Sequence, residues 1–266
     1  MKTKVLITGA AGEIGRVLHQ GLKGRYALLR LADLRAVKPG PGEEAIVCDF
    51  TDPAAAGKAL AGIDCVVHLA GVPREDAWER ILPNNIVGTW NVFEAARHAG
   101  VKRVVFASSN HTIGFYPVTR RVSNHEPVRP DSRYGVSKVF GEAVGRLYAD
   151  KHGMSVACLR IGSFRPQPDD ERQLSTWLSP RDMVELARAA IEAPDYHFVV
   201  VYGVSANTRS RWDNPDAATI GYVPRDNAED FARVVAGKVA APGPVAQFHG
   251  GPFCGLEFTG DTKRID

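Results

Sequence analysis

Apolar residues are distributed along the chain in two alternating patterns. Seven short runs are apolar at nearly every position: "KVLIT" (4–8), "YALLRLAD" (26–33), "EAIVCD" (44–49), "DCVVHLA" (64–70), "RVVFAS" (103–108), "SVACLRIG" (155–162) and "FVVVYG" (198–203). Between most of them, apolar residues recur at helical spacing. Strands apolar on both faces, alternating with helices, predict an α/β fold with a doubly wound parallel sheet covered on both sides. The longest helical pattern, "EDAWERILPNNIVGTWNVFEAARHAG" (75–100), is expected to break or kink near Pro83 and to stop at Gly100. Residues 164–182 are proline-rich and irregular, and the stretch from Pro242 onward has so little periodicity that it reads as a surface wrap. A chain of 266 residues with this pattern predicts one domain over 1–266, with a cofactor-binding core in about 1–162 and a smaller substrate-binding C-terminal part in about 163–266.

The first turn of this frame is glycine-rich. Directly after the first strand, "TGAAGEIG" sets Gly9, Gly12 and Gly15 in GxxGxxG spacing where a helix begins. Glycines there allow a tight turn, close approach of backbone to a pyrophosphate and close helix packing, and the free N–H groups at Glu13 and Ile14 face the anion. The spacing is not GxGxxG, and glycines in such a turn can serve packing alone, but the strand before and the helix after favour a nucleotide. Asp33 ends the second strand eighteen positions after Gly15, with Leu34 beside it. A carboxylate there accepts hydrogen bonds from ribose hydroxyls and repels a 2′-phosphate, which predicts NAD rather than NADP; Arg35 is the feature that argues the other way. "CDFTD" offers Asp49 and Phe50 for the adenine, and "HLAGVP" offers Leu69, Ala70 and Gly71 as a thin wall past which the cofactor runs.

Composition narrows the partners. A net charge of +3 with scattered basic residues argues against nucleic acid. Four cysteines, Cys48, Cys65, Cys158 and Cys254, form no CxxC pair, and three lie in or beside strand-like runs, as reduced buried thiols would. The eight histidines stand singly without HExxH, so no metal site is expected. The N-terminal apolar run is too short for a signal peptide, and no stretch approaches a membrane span. The expectation is a cytoplasmic protein, not membrane-bound, that handles a small molecule.

Chemistry concentrates in "FASSNHTIGFYP" (106–117) and "RYGVSKVFGE" (133–142). Tyr134 and Lys138, at i and i+4, share a helix face, so the ammonium could lower the phenol pKa and anchor a ribose, leaving Tyr134 as general base. Ser109, at a strand's carboxyl end, is placed to bond the reacting oxygen, while Ser108 should face the core or the backbone turn. A lone YxxxK is ordinarily a surface pair; the glycine loop and strand-end serine change that reading. Together, TGxxGxxG, "HLAG", "NNIVGTWNVFEAAR", the serine and YxxxK resemble the extended short-chain dehydrogenase/reductase family over residues 3–162. That resemblance implies a Rossmann-type fold and a tetrad of Asn85, Ser109, Tyr134 and Lys138.

A narrower resemblance runs nearly the full length. "SSNHTIGFYP", "RIGSFRPQPDDERQLSTWLS" and "VVVYGVSANTRSRWDN" are similar to bacterial uronate dehydrogenases. The similarity implies that Ser109, Asn110, His111, Tyr134, Ser163 and Arg172 contact a sugar acid, with Arg172 gripping its carboxylate through a planar fork and Phe164 on the cofactor side. Pro73 stands where a serine is expected, which alters one substrate contact. Taken alone, Arg172 reads equally as a solvated charge beside Asp169, Asp170 and Glu171, and His111 reads more readily as a satisfied strand-end histidine than as a ligand. The implied reaction is NAD-dependent oxidation of C1 of a hexuronic acid to an aldarolactone, and helix-paired homo-oligomers are common in the family. Two alternatives stay open. A nucleotide-sugar epimerase or dehydratase would need a larger C-terminal region, and a non-catalytic NAD sensor would fit a degraded YxxxK, whereas this one is intact.

Overall fold

A computed structural model describes residues 2–265. Each of the seven apolar runs contributes a strand to one sheet: β1 (Lys4–Thr8), β2 (Leu28–Asp33), β3 (Glu43–Val47), β4 (Cys65–His68), β5 (Arg103–Ser109), β6 (Ser155–Ile161) and β7 (Phe198–Gly203). The order is β7-β6-β5-β4-β1-β2-β3 and every pairing is parallel. Strand order reverses between β1 and β4, which opens a crevice beyond their carboxyl ends where doubly wound sheets hold ligands.

Alternate residues of β1 feed opposite cores. Val5 and Ile7 pack with Leu18 and Leu22 of α1 (Glu13–Leu22) and Leu186 of α5 (Pro180–Glu192). Leu6 packs with Ala56 of α2 (Pro53–Leu60), Phe93 of α3 (Gly88–His98) and Tyr148 of α4 (Arg133–His152). Burial on both faces explains why the inner strands read as continuous apolar runs, whereas β3, at the sheet edge, has no buried residue. The helices start on side-chain caps where it matters: Ser132 accepts the Gly135 N–H to open α4, and Gly153, at φ 66°, ends it.

The helical pattern around Pro83 does not break. A turn of α-helix, Trp78–Ile81, passes into a π-helical turn, Leu82–Val87, and then into α3. The Gly88 N–H reaches the Pro83 carbonyl, so the wider turn absorbs the proline that would otherwise clash with the preceding carbonyl. It also turns Asn85 inward, where it is buried. At twenty residues, α4 is the longest α-helix among the described residues.

The tail is no surface wrap. Phe248, His249 and Cys254 are buried, and Pro117 bridges to Phe248. Glycine and proline turns carry the tail inward through two short helical turns, Pro244–Gln247 and Pro252–Gly255, so its buried residues follow neither helical nor strand periodicity. Within 164–182, Ser163–Phe164 pairs with Trp177–Leu178 around one helical turn, Gln173–Thr176. No described helix is long and apolar enough to cross a membrane.

Candidate active site

The strand ends Thr8, Asp33, His68, Ser109 and Ile161 frame the site, beginning with the glycine turn. Gly9 has φ 67°, and a Cβ on it would lie 2.8 Å from the Ala70 nitrogen; one on Gly15 would lie 2.3 Å from the Gly9 oxygen. Gly9 therefore serves the turn and Gly15 the packing of α1 against it. Gly12 caps α1 without any side-chain bond, so the N–H groups opening at Glu13 and Ile14 remain available to an anion. Opposite, the Thr8 hydroxyl accepts from the Leu69 and Ala70 N–H groups, both at 3.1 Å, and lies 2.8 Å from His68 Nδ1. With both N–H groups donating to it, that hydroxyl gives its one proton to Nδ1. Burial holds His68 neutral, its pKa pushed down to about 3. The loop Leu69–Gly71 is thus pinned from below while Gly71, at φ 143°, stays exposed.

At the far end, Asp33 accepts from the Ala11 N–H at 2.9 Å and the Arg35 N–H at 3.0 Å, and each carboxylate oxygen keeps capacity for a ribose hydroxyl. The Arg35 guanidinium folds back to donate to the Ala11 carbonyl at 2.9 Å. Leu34 is exposed beside it. Asp49 holds the Thr51 N–H at 2.9 Å, whereas the Phe50 ring is buried in the core, which leaves only its backbone to face an adenine. Phe164 is half-buried. These residues fit a dinucleotide. Asp33→Ala is expected to narrow the preference for NAD+ over NADP+, because the repulsion of a 2′-phosphate disappears; comparison of kcat/KM for the two cofactors checks it, and an unchanged ratio rejects the ribose contact.

The other end of the crevice holds the titratable pair. Lys138 is buried, with its ammonium 5.1 Å from the Phe106 ring centroid and 5.4 Å from that of Tyr134, and burial lowers its pKa to about 8. No carboxylate pairs with it among the described residues, so hydroxyl oxygens would be welcome partners. Tyr134 is buried and its phenol is pushed up to about 12 by burial, against the opposing hydrogen bond of Ser109. The Lys138 ammonium lies over the Tyr134 ring and makes no hydrogen bond to its hydroxyl. Glu75 fixes the start of α4, accepting from the Tyr134 N–H at 2.8 Å and from Arg133 at 2.7 Å. Ser108 faces the core, donating to Glu142 at 2.6 Å; Glu142 in turn holds Arg160 through two bonds, at 2.9 and 2.8 Å. This buried pair ties the end of β5 to α4 and β6 and so sets Ser109 against Tyr134.

The Asn85 side chain makes no hydrogen bond to Ser109, Tyr134 or Lys138. Its amide accepts from the Val72 N–H at 2.7 Å and donates to the Val72 carbonyl at 3.0 Å and to Ser137 Oγ at 3.1 Å. It therefore clamps the loop after β4 to α4, next to Lys138. Pro73 is exposed just beyond that clamp.

The candidate substrate residues lie on both sides of residue 162, Ser109, Asn110 and His111 before it and Ser163 and Arg172 after it. Ser109 accepts from the His111 N–H at 3.2 Å, and the buried Asn110 amide has no protein hydrogen-bond partner among the described residues. Arg172 has not joined its acidic neighbours: Asp169 pairs with Arg165 at 3.0 Å, Asp170 accepts from the Gln173 N–H at 2.9 Å and Glu171 from the Gly237 N–H at 2.7 Å. Its Nη atoms make only long bonds, 3.3 Å to the His249 carbonyl and 3.5 Å to Ser163 Oγ, and its buried Nε has no partner. Burial lowers its pKa. Ser163 also pairs with Thr176 at 2.9 Å.

Several residues here went unrecognised in the sequence. Phe253 stacks on His111 with centroids 3.9 Å apart, Asp131 bonds His111 Nδ1 at 2.7 Å, and a Cβ on Gly251 would lie 2.7 Å from Arg172 Nε. The "HGGPFC" string offered a glycine pair as a signal, but Asp131 in "RPDSRY" looks like any loop aspartate. Cys254, placed by sequence in a remote tail, lies 3.9 Å from Asp131. All four cysteines are free and buried, and burial raises each thiol pKa.

Fold and site together define a dinucleotide-binding α/β protein with a serine, tyrosine and lysine converging at one end of the crevice. Residues 5–179 match the NAD dependent epimerase/dehydratase family, and the chain belongs to it. Uronate dehydrogenase from Pseudomonas putida is 46% identical over 254 residues, covering 94% of this chain and 95% of that protein. A crystal structure of a mutant uronate dehydrogenase from Agrobacterium tumefaciens complexed with NAD superposes with a TM-score of 0.90 at 46% identity, covering 96% and 97% of the two chains. Glucuronic acid dehydrogenase from Chromohalobacter salexigens gives 0.91 at 41% identity, covering 96% and 97%.

Proposed function

We propose that this chain is an NAD-dependent dehydrogenase that oxidises C1 of a cyclic hexuronic acid, D-glucuronate or D-galacturonate, to the aldarolactone. The observation that carries the reading is Arg172, a buried guanidinium whose Nε lacks any partner and whose Nη atoms make only long bonds to the His249 carbonyl and Ser163. A carboxylate supplies the missing acceptor. The uronate specificity of the relatives points the same way. Bound NAD+ supplies the hydride acceptor. Gly9, Gly12 and the start of α1 would hold its pyrophosphate, Asp33 its adenosine ribose, and Lys138 its other ribose. Tyr134 takes the proton from the C1 hydroxyl, Ser109 donates a hydrogen bond to the same oxygen, and Ser163, Asn110 and His111 fix the ring.

The product follows from what the site lacks. Oxidising an open-chain aldehyde to an acid needs an activated thiolate or a bound hydrate, and the four thiols are buried with raised pKa values. A cyclic hemiacetal already carries at C1 both the hydroxyl to be deprotonated and the hydrogen that leaves as hydride. The expected product is the ring lactone, released and opened in solution. Carbon NMR of ¹³C1-labelled uronate during turnover at mildly acidic pH checks this, and free diacid without a preceding lactone signal rejects it. The epimerase alternative predicts no net NADH, whereas this reading predicts NADH in step with uronate consumed.

A further inference from the structure

Behind His111 lies a carboxylate, Asp131, that has no role in the steps above. Asp131 is fully buried at its side chain; its Oδ2 lies 2.7 Å from His111 Nδ1, and its Oδ1 accepts from Ser132 Oγ at 2.7 Å. The site is built tightly around that carboxylate. A Cβ on Gly114 or Gly250 would come within 1.9 or 1.8 Å of Oδ2, and Cys254 Sγ lies 3.9 Å away. Phe253 stacks on the His111 ring at 13° between planes, and Tyr134 meets it edge-on with centroids 5.8 Å apart. The ring can therefore neither tilt nor flip freely. A carboxylate only accepts, so His111 Nδ1 must carry a proton, and in the neutral imidazole Nε2 is then a bare lone pair. Nε2 has no protein partner among the described residues.

Arg172 gives the opposite pole. Gly250 abuts Asp131 and the next residue, Gly251, abuts Arg172, so two consecutive residues without side chains separate an acceptor pole from a donor pole. A carboxylate presented to His111 Nε2 meets a lone pair backed by a buried anion; a hydroxyl presented there finds an acceptor. We propose that Asp131 is a positioning residue that acts through His111, fixing Nε2 as the acceptor for a ring hydroxyl, so that this end of the pocket selects a hydroxyl and refuses the carboxylate. The inference rests on the sugar-acid reading for its substrate and on geometry alone for the tautomer. It makes the acid bind in one direction only, with its carboxylate at Arg172 and C1 at Tyr134.

Two measurements test it. ¹⁵N NMR of histidine-labelled, substrate-free protein, with His111 assigned by His111→Ala, should show protonated Nδ1 and bare Nε2. Asp131→Ala should raise KM for glucuronate or galacturonate about 10- to 100-fold with little change in KM for NAD+. Asp131→Asn, which keeps an amide oxygen for Nδ1–H, should recover most of that loss. In a His111→Ala background the Asp131→Ala penalty should vanish, since a residue acting through another has nothing left to act on. An equal penalty in both backgrounds, equal losses for the Asn and Ala variants, or a proton on Nε2 would overturn the proposal. The spectrum is recorded without substrate, so a wrong tautomer rejects this inference even where uronate is turned over, and absent uronate turnover rejects the proposed function whatever the tautomer.

Discussion

Tyr134→Phe is expected to lower turnover about 10²- to 10⁴-fold while leaving NAD+ affinity nearly unchanged. The phenylalanine ring fills the same buried space against His111, Phe253 and the Lys138 ammonium, so the pocket and the ribose contact proposed for the lysine should survive. Only the oxygen that accepts the C1 proton is lost. The substrate-free chain holds that phenol up at about 12 and the neighbouring ammonium down at about 8. The phenol must lose its proton to act, so the base form grows as pH rises and kcat/KM should climb from about pH 6 toward about pH 8. Above the lysine's own pKa the ammonium discharges and its support for a phenolate is lost, so the climb should flatten there. Initial rates of NADH formation across that range measure both effects. A folded Tyr134→Phe protein with ordinary turnover, or a residual rate that keeps the wild-type pH slope, would remove Tyr134 from the role of base.

The sheet was legible because parallel strands buried on both faces have to be apolar at nearly every position, and no other element here shares that signature. Gly9 and Asp33 were legible for a related reason, since they sit at or just past a strand end, and Gly12 and Gly15 because they follow in the cap and first turn of α1, where the turn leaves little choice of side chain. Pro83 shows the opposite case. Local rules read a proline in a helix as a break, yet the chain has the option of a π turn, and the reward for taking it is Asn85 buried in a clamp between Val72 and Ser137. Neither term of that balance is visible locally. The tail went unread because Phe253 reaches His111, and His249 reaches Arg172, across 142 and 77 positions of sequence respectively, with no periodicity to advertise the contact. Tyr134 was found by its spacing to Lys138, but its pKa was not, since desolvation belongs to the folded surroundings and the ammonium's position over the ring cannot be read from an i, i+4 interval.

Arg172→Met is expected to have two effects of opposite sign. Uronate binding should weaken by about 2–5 kcal/mol, which is roughly 30-fold to several thousand-fold in KM, because the variant offers no fork to the carboxylate and buries it unpaired. The free protein should be no less stable, and its Tm is expected to rise. A buried guanidinium with an unpartnered Nε and only long bonds to the His249 carbonyl and Ser163 is an incompletely compensated charge, and an apolar side chain of similar length removes that cost. Lysine at the same position should rescue little, since a point charge cannot reproduce a bidentate contact. The two effects separate a binding role from a structural one. Thermal unfolding with and without saturating uronate should show a large ligand-induced shift in the wild type and almost none in Arg172→Met, while the shift produced by NAD+ is the same in both. Loss of the NAD+ shift, or a neutral hexose that loses as much affinity as the uronate, would mean that Arg172 holds the fold rather than the carboxylate.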